Sequence, residues 1–254
     1  MKSKLLLIVV SVSLMILSGC ASTSDSKSSG TTAASKDPKM AAVNDIVTRY
    51  KKAVYGKDGT RKNSSTTMKG VLSIEQFNID GPFVIYATAP DSYVSNIEVM
   101  GMQLSTGCHK GVCWSQQPGA GTAILSGGAA EFQLQQSDYY LWDHVERYYT
   151  SMEIVTPPDG QATPNHKIKA VKKNGDTDYF DFSKESGLWV AAVFDGETPQ
   201  GRMKIAIQFN AYKDFAGTLI PTELIQATPQ ATVKLTFKEV SYAPIPDDKF
   251  VKPN

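Results

Sequence analysis

Apolar and polar residues follow two different periods along this chain, and the change comes after Gly59. Upstream, from Asp37-Pro38, the residues Met40, Val43, Ile46, Val47, Tyr50 and Val54 recur at three- and four-residue spacing. That spacing gathers them on one stripe of an α-helix. Lys51 and Lys52 near the end of the stripe, with Gly56 and Gly59 behind it, supply a stop signal. The prediction is an amphipathic helix lying on a folded body.

From Thr67 the period is two. Met68, Gly70, Leu72 and Ile74 alternate with Lys69, Val71, Ser73 and Glu75. A turn is expected at Asp80-Gly81-Pro82, then a strand over Phe83–Ala87, a third over Tyr93–Met100, and two more over Met102–Thr106 and Val112–Gln117. Later, Met203, Ile205, Ile207 and Phe209 oppose Arg202, Lys204 and Gln208, and Val233, Leu235 and Phe237 oppose Thr232, Lys234, Thr236 and Lys238. Strands are also expected over His166–Val171, Thr177–Phe182, Leu188–Phe194 and Leu219–Gln226, between Gly, Asn, Asp or Pro turns. The pattern is a long antiparallel meander, one face wet and one dry. The middle differs: Ala129–Tyr139, after Gly127-Gly128, and Leu141–Tyr149 suit helices or helical turns, with Leu141, Trp142, Val145 and Tyr148 on one apolar face. The dry face must be covered, and these few helices are the candidates. No repeat or internal linker divides residues 38–254, which read as one domain.

The chain has 254 residues, with 26 Lys and Arg against 25 Asp and Glu, and 41% hydrophobic residues. Near-balanced charge lacks the clustered basic footprint of a nucleic-acid binder, and the apolar content argues against wholesale disorder. The single long apolar run, Leu5–Leu17 behind Lys2 and Lys4, rules out a multi-span membrane protein. A short basic region, a 13-residue apolar stretch and small residues after it are the parts of an export signal.

That signal ends in Leu17-Ser-Gly-Cys20, which resembles the lipobox of bacterial lipoproteins. The resemblance implies cleavage after residue 19, a lipid on Cys20, and Ala21 in place of the Asp that would favour inner-membrane retention. The expected location is therefore the outer membrane, lipid-anchored and facing the periplasm. Residues 20–37 are Ser, Thr, Ala, Gly and Lys-rich without large apolar side chains, and read as a flexible tether. Without Lys2 and Lys4, 24 basic residues face 25 acidic ones, so no polybasic membrane patch is present.

Two cysteines remain, Cys108 and Cys113, in Gly107-Cys-His-Lys-Gly-Val-Cys-Trp-Ser. An exported compartment favours a disulfide, and His109-Lys110-Gly111 offers a turn between two strands that could face the thiols to each other. Haem attachment needs C-x-x-C-H, which is absent, and a metal site would draw on only His109, His144 and His166. The expectation is a hairpin disulfide, no metal and no cofactor.

Met68-Lys-Gly70, Gly81-Pro-Phe83 with Ala89-Pro90, Trp114 followed by Gln117-Pro118, Phe180-Asp-Phe-Ser-Lys-Glu-Ser-Gly-Leu188, Asp214-Phe-Ala-Gly217 with Ile220-Pro221, and Asp247-Asp-Lys-Phe250 carry a second resemblance. In this order they resemble the LolA/LolB-type proteins that carry and receive bacterial lipoproteins. The resemblance covers most of 38–254. It implies a mainly β (α+β) fold in which a curved antiparallel sheet forms an open half-barrel with helices as a lid. The cysteine pair stands where the family usually has a plain Gly-containing turn.

Catalytic constellations are missing from the sequence: there is no G-x-S-x-G, P-loop, H-E-x-x-H or dinucleotide fingerprint. Gly119-Ala-Gly121 reads as a loop, and Asn174-Gly-Asp-Thr-Asp178 as a turn rather than a calcium loop. A non-enzymatic protein is expected. Leu72, Phe83, Ile85, Trp114, Phe132, Leu141, Trp142, Trp189, Ile205, Ile207, Phe209 and Leu235 are the candidates to line an apolar cavity. Taken singly each fills an ordinary core; taken together in an open half-barrel they suit an acyl chain, which needs burial and few hydrogen bonds. The expected partners are the membrane, through the anchor, and a lipid or acylated protein as ligand. The alternative is an envelope sensing or protein-binding module with the same fold and a closed interior.

Overall fold

The computed structural model of the protein describes residues 38–157 and 161–253. The expected export signal, Cys20 and the expected tether lie outside the described residues. The chain opens with α1 (Pro38–Tyr55), whose inner stripe of Val43, Ile46, Val47, Tyr50, Val54 and Tyr55 is buried. Five strands follow in meander: β1 (Ser65–Ile74), β2 (Ile79–Thr88), β3 (Ser92–Val99), β4 (Met102–His109) and β5 (Val112–Gln117), with a short β6 (Gly121–Ile124) after them. Next come α2 (Gly127–Ser137) and two 3-10 turns, Leu141–Asp143 and Val145–Arg147. The second run of strands is β7 (Tyr149–Val155), β8 (Asn165–Lys172), β9 (Thr177–Ser183), β10 (Trp189–Thr198), β11 (Gly201–Phe215), β12 (Thr218–Ala227) and β13 (Thr232–Ser241).

All strand pairs are antiparallel, and the described strands form one 13-stranded sheet in the order β6-β5-β4-β3-β2-β1-β13-β12-β11-β10-β9-β8-β7. The first and last strands of the meander, β1 and β13, meet at the centre. The two edges, β6 and β7, are joined in sequence by α2 and residues 138–148. The sheet does not close into a barrel. Its open side is spanned by that connection, and α1 packs nearby against β7 and β12.

The strong alternations are strands for the expected reason. Met203, Ile205, Ile207 and Phe209 are buried along β11, as are Val233, Leu235 and Phe237 along β13, while their neighbours face water. Register carries one dry row across the sheet: Leu224 faces Phe209 and Leu235, and Phe83 faces Gly70 and Ile97. The cysteine turn is tighter than expected. Lys110 and Gly111 both take positive φ, 50° and 79°, the two-residue hairpin geometry that matches strand twist. Cys108 stands opposite Cys113 in register, and the two are disulfide-bonded.

Three expectations are corrected. Asp80-Gly81-Pro82 lies inside β2, paired with β1, and the turn falls earlier at Glu75–Asn78. Gly81 is there because a Cβ would run into the Glu98 carbonyl of β3, a close approach rather than a turn. Gly121, expected in a loop with Gly119 and Ala120, opens the short strand β6. The helical turns expected over Leu141–Tyr149 are present as two 3-10 turns that stop at Arg147, and Tyr149 begins β7 instead.

Candidate functional site

The concave wall and what covers it form the candidate site. Two covering pieces drive aromatic side chains into the wall. Tyr50 comes from α1, and Trp142 from the 3-10 turn at Leu141–Asp143. Trp142 meets Phe180, Phe182 and Trp189 edge-on, with ring centroids 5.0, 5.2 and 5.1 Å away. Tyr50 meets Phe182 at 5.5 Å, and Trp189 lies against Phe209 at 4.3 Å. Such pairs each contribute about 0.5–1.5 kcal/mol beyond simple burial. An ion pair between Lys51 of α1 and Asp143 ties the two pieces together.

The third covering piece, α2, is held differently. Its buried residues are Phe132, Gln133, Gln135, Gln136 and Ser137, one apolar anchor among polar side chains. Two glycines let it approach: a Cβ on Gly128 would strike Glu197, and a Cβ on Gly196 of β10 would strike the Phe132 ring. Beneath α2 sits a buried polar network. Gln135 Nε2 donates to Tyr149 Oη and, at 3.2 Å, to Asp178 Oδ2. Tyr149 Oη–H donates to the same oxygen at 2.8 Å. Lys172 Nζ pairs with Asp178 Oδ1 at 3.0 Å and donates to the Asp195 carbonyl at 2.6 Å, while the Asp195 N–H donates to Asp178 Oδ1 at 2.9 Å. Asp178 is fully buried. Burial raises its carboxyl above the usual range, and the nearby Lys172 and these hydrogen bonds only partly offset it. Burial, then the Asp178 charge, pushes the Tyr149 phenol well up.

The sequence candidates fall into three groups. Leu72, Phe83, Ile85, Phe132, Trp142, Trp189, Ile205, Ile207, Phe209 and Leu235 meet in one apolar core with the covering pieces. Leu141 is buried but outside that cluster. Trp114 is a correction: register with Gly107 and Val94 turns it to the outer face, where it packs with Val94 under Phe250 from the C-terminal turn. Strand alternation placed it there, because Cys113 takes the inner position. The ten core residues pack against one another and the lid.

Among the clefts that the described residues form, two lie at the rim. The larger, about 320 Å³, lies beside α2 and is lined by Gly128, Glu131, Phe132, Leu134, Gln135, Arg147, Tyr148, Lys172, Lys173, Asn174, Asp176, Gly196, Glu197 and Arg202. Of the twelve candidates it touches only Phe132. Arg202 is engaged there by Asp176 and Asp195. The smaller, about 270 Å³, sits between α1 and the ends of β7, β8 and β9, with Ile46, Ile154 and Phe182 beside Asp45, Arg49 and His166. Among the described residues no group of three or more His, Cys, Asp or Glu side chains is placed to hold a metal ion.

No protein-family model matches the chain, and no curated protein sequence does. Solved structures do. A LolA superfamily protein from Nitrosomonas europaea superposes with a TM-score of 0.54 over 82% of this chain and 96% of its own, at 8% identity. The chain has a LolA-like fold. A DUF1329 family protein from Desulfovibrio piger matches equally well, with a TM-score of 0.54 over 85% of this chain and 98% of its own, at 15% identity. At such identities the likeness is one of fold, and the LolA-like frame is what the open sheet, its dry concave face and its helical cover amount to.

Two features escaped the sequence reading. Asp178 falls both in the tract read as a turn, Asn174–Asp178, and in the strand expected over Thr177–Phe182; the structure puts it in the strand, in the inward phase of Phe180 and Phe182, and its burial was not anticipated. Arg61, in the loop after α1, was not singled out from the sequence, and it is 1% exposed.

Proposed function

We propose that the protein is a bacterial envelope lipoprotein, anchored through Cys20 in the outer membrane and facing the periplasm, whose half-barrel takes up the acyl chain of a lipid or lipoprotein beneath a movable lid. Residues 1–19 are its export signal and 20–37 its tether. The observation that carries the reading is the make-up of the cover. The apolar wall is closed by α1, α2 and residues 138–148 rather than by more strands, and α2 buries glutamines where a permanent core helix buries leucines. Gln, Ser and a single Phe give α2 little apolar area to hold it down. When the lid lifts, Phe180, Phe182 and Trp189 face the space that Trp142 leaves. An acyl chain covers them without needing directed hydrogen bonds, and no step of such shielding calls for catalysis.

A second reading, a protein-binding or sensing module, is favoured by the filled interior: the ten candidate residues already have partners in the core. The two are separated by lipid uptake. The chain from residue 21 onward, which holds every described element, should co-purify with lipid in native mass spectrometry or, once delipidated, bind a fluorescent fatty acid. Recovery without lipid, together with no uptake, would leave the binding module as the reading.

A further inference from the structure

Arg61 is a buried cation without a counter-charge. Its Nε, Nη1 and Nη2 atoms have no hydrogen-bond partner among the described residues, and none of the described ion pairs includes it. What it has are two ring faces: its guanidinium carbon lies 3.9 Å from the centroid of Tyr139 and 5.8 Å from that of Tyr55. Cation–π contact offsets only part of the cost of stripping a guanidinium of water. Five N–H donors in a rigid fork are thus held ready and unused, and a fork of that shape matches a carboxylate or phosphate.

The location gives the unused fork a purpose. Tyr55 and Tyr139 both belong to the apolar core that fills the half-barrel. Tyr139 sits in the connection after α2, where its hydroxyl bonds Thr66 Oγ1 at 2.8 Å and the Asn63 carbonyl at 3.2 Å. It is the tile that covers the cation, and it is part of the lid. Arg61 therefore stands at the margin of the apolar interior, under a ring that leaves when residues 138–143 lift.

We propose that Arg61 recognises the anionic head of an amphiphile, a carboxylate or phosphate, whose apolar chain lies along the concave wall. This rests on the carrier reading above and names its ligand class. In the closed state Tyr139 shields the cation; in the loaded state the acidic head replaces the ring and satisfies the fork. An uncharged head of the same chain length leaves the donors unpaired and binds more weakly.

The test uses the chain from residue 21 onward and three probes of equal chain length: a fatty acid, an alkyl phosphate and a fatty alcohol, each displacing a fluorescent reporter lipid. The inference predicts that one or both acids bind roughly 10- to 100-fold more tightly than the alcohol, the span of one or two charge-assisted hydrogen bonds. The acid that shows the preference identifies the head group. Arg61→Gln should abolish the preference while leaving alcohol binding within about twofold, and should not lower Tm, because it removes an unpaired buried charge. Arg61→Lys, which keeps the charge and loses the fork, should retain only part of the preference. Equal binding of all three probes by the unmodified chain would overturn this inference and leave the carrier reading standing. Binding of none would overturn both. A large fall in Tm for Arg61→Gln with the preference intact would make the arginine a structural cation and overturn the assignment.

Discussion

Asp178 shows how a single position in the strand alternation sets local energetics. It occupies the inward phase of β9 with Phe180 and Phe182, so the fold buries a carboxylate under α2 and must supply it with Lys172, Tyr149, Gln135 and the Asp195 N–H. Breaking such a pair from one side leaves the other charge stranded. Asp178→Asn should cost about 3 kcal/mol in urea unfolding at neutral pH, and Lys172→Met in the same chain should recover most of that. The pH dependence has a definite sign. Because burial raises this carboxyl in the folded state, the folded protein holds the proton more tightly than the unfolded chain. Its contribution to stability is thus greatest at low pH and is lost as pH rises from the ordinary carboxylate range through the raised value. Asp178→Asn should remove that component of the slope; an unchanged slope would show that the group titrates normally. Asn174-Gly-Asp-Thr-Asp178 has the composition of a turn, and the strand expected over Thr177–Phe182 did not say which groups would meet the carboxylate. The one available signal was the two-residue spacing to Phe180. Arg61 gave no signal at all, since its burial depends on Tyr139, 78 positions away in the chain.

Among the elements, legibility followed the length and strictness of the alternation. β11 and β13 repeat the apolar phase three or four times, and α1 shows a full stripe, so pattern alone places them. β6 has four residues, too few for a period, and β7 interrupts its own phase with a register shift between Tyr149 and Ser151. Both are edge strands, and each carries only one partner's worth of constraint on its composition. α2 was legible as a helix and as a candidate cover, but the way it docks was not, because its glutamines give it no apolar face. Its docking rests on Phe132 and on two glycines. Gly196→Ala should therefore act on α2 rather than on the sheet: the new Cβ meets the Phe132 ring, and overpacking of this kind costs about 1–3 kcal/mol. The check is amide exchange by mass spectrometry, with faster exchange across residues 127–137 and unchanged protection in β1 and β13. Equal loss of protection everywhere would contradict a separately docked lid.

Taken whole, the molecule is a meander whose ends meet at the centre and whose edges are joined across the open side. The same connection that spans the mouth, α2 and residues 138–148, thereby carries the plug residue Trp142, the shielding ring Tyr139 and the network residue Gln135. The sheet is held by ladder hydrogen bonds and a continuous apolar row, whereas the connection is held by a few aromatic contacts and polar bonds. This difference makes the lid the first part expected to open. The half-barrel was legible through short turn motifs spread over the chain; that its interior is filled by its own aromatics was not, because strand periodicity says which side chains face inward and not whether they meet. Hydrogen–deuterium exchange with and without a saturating fatty acid tests the lid directly. The account predicts that residues 127–148 exchange well before the central strands and that the fatty acid changes their protection while leaving β1 and β13 as they were. Exchange of lid and central strands as one cooperative unit, indifferent to the fatty acid, would contradict it.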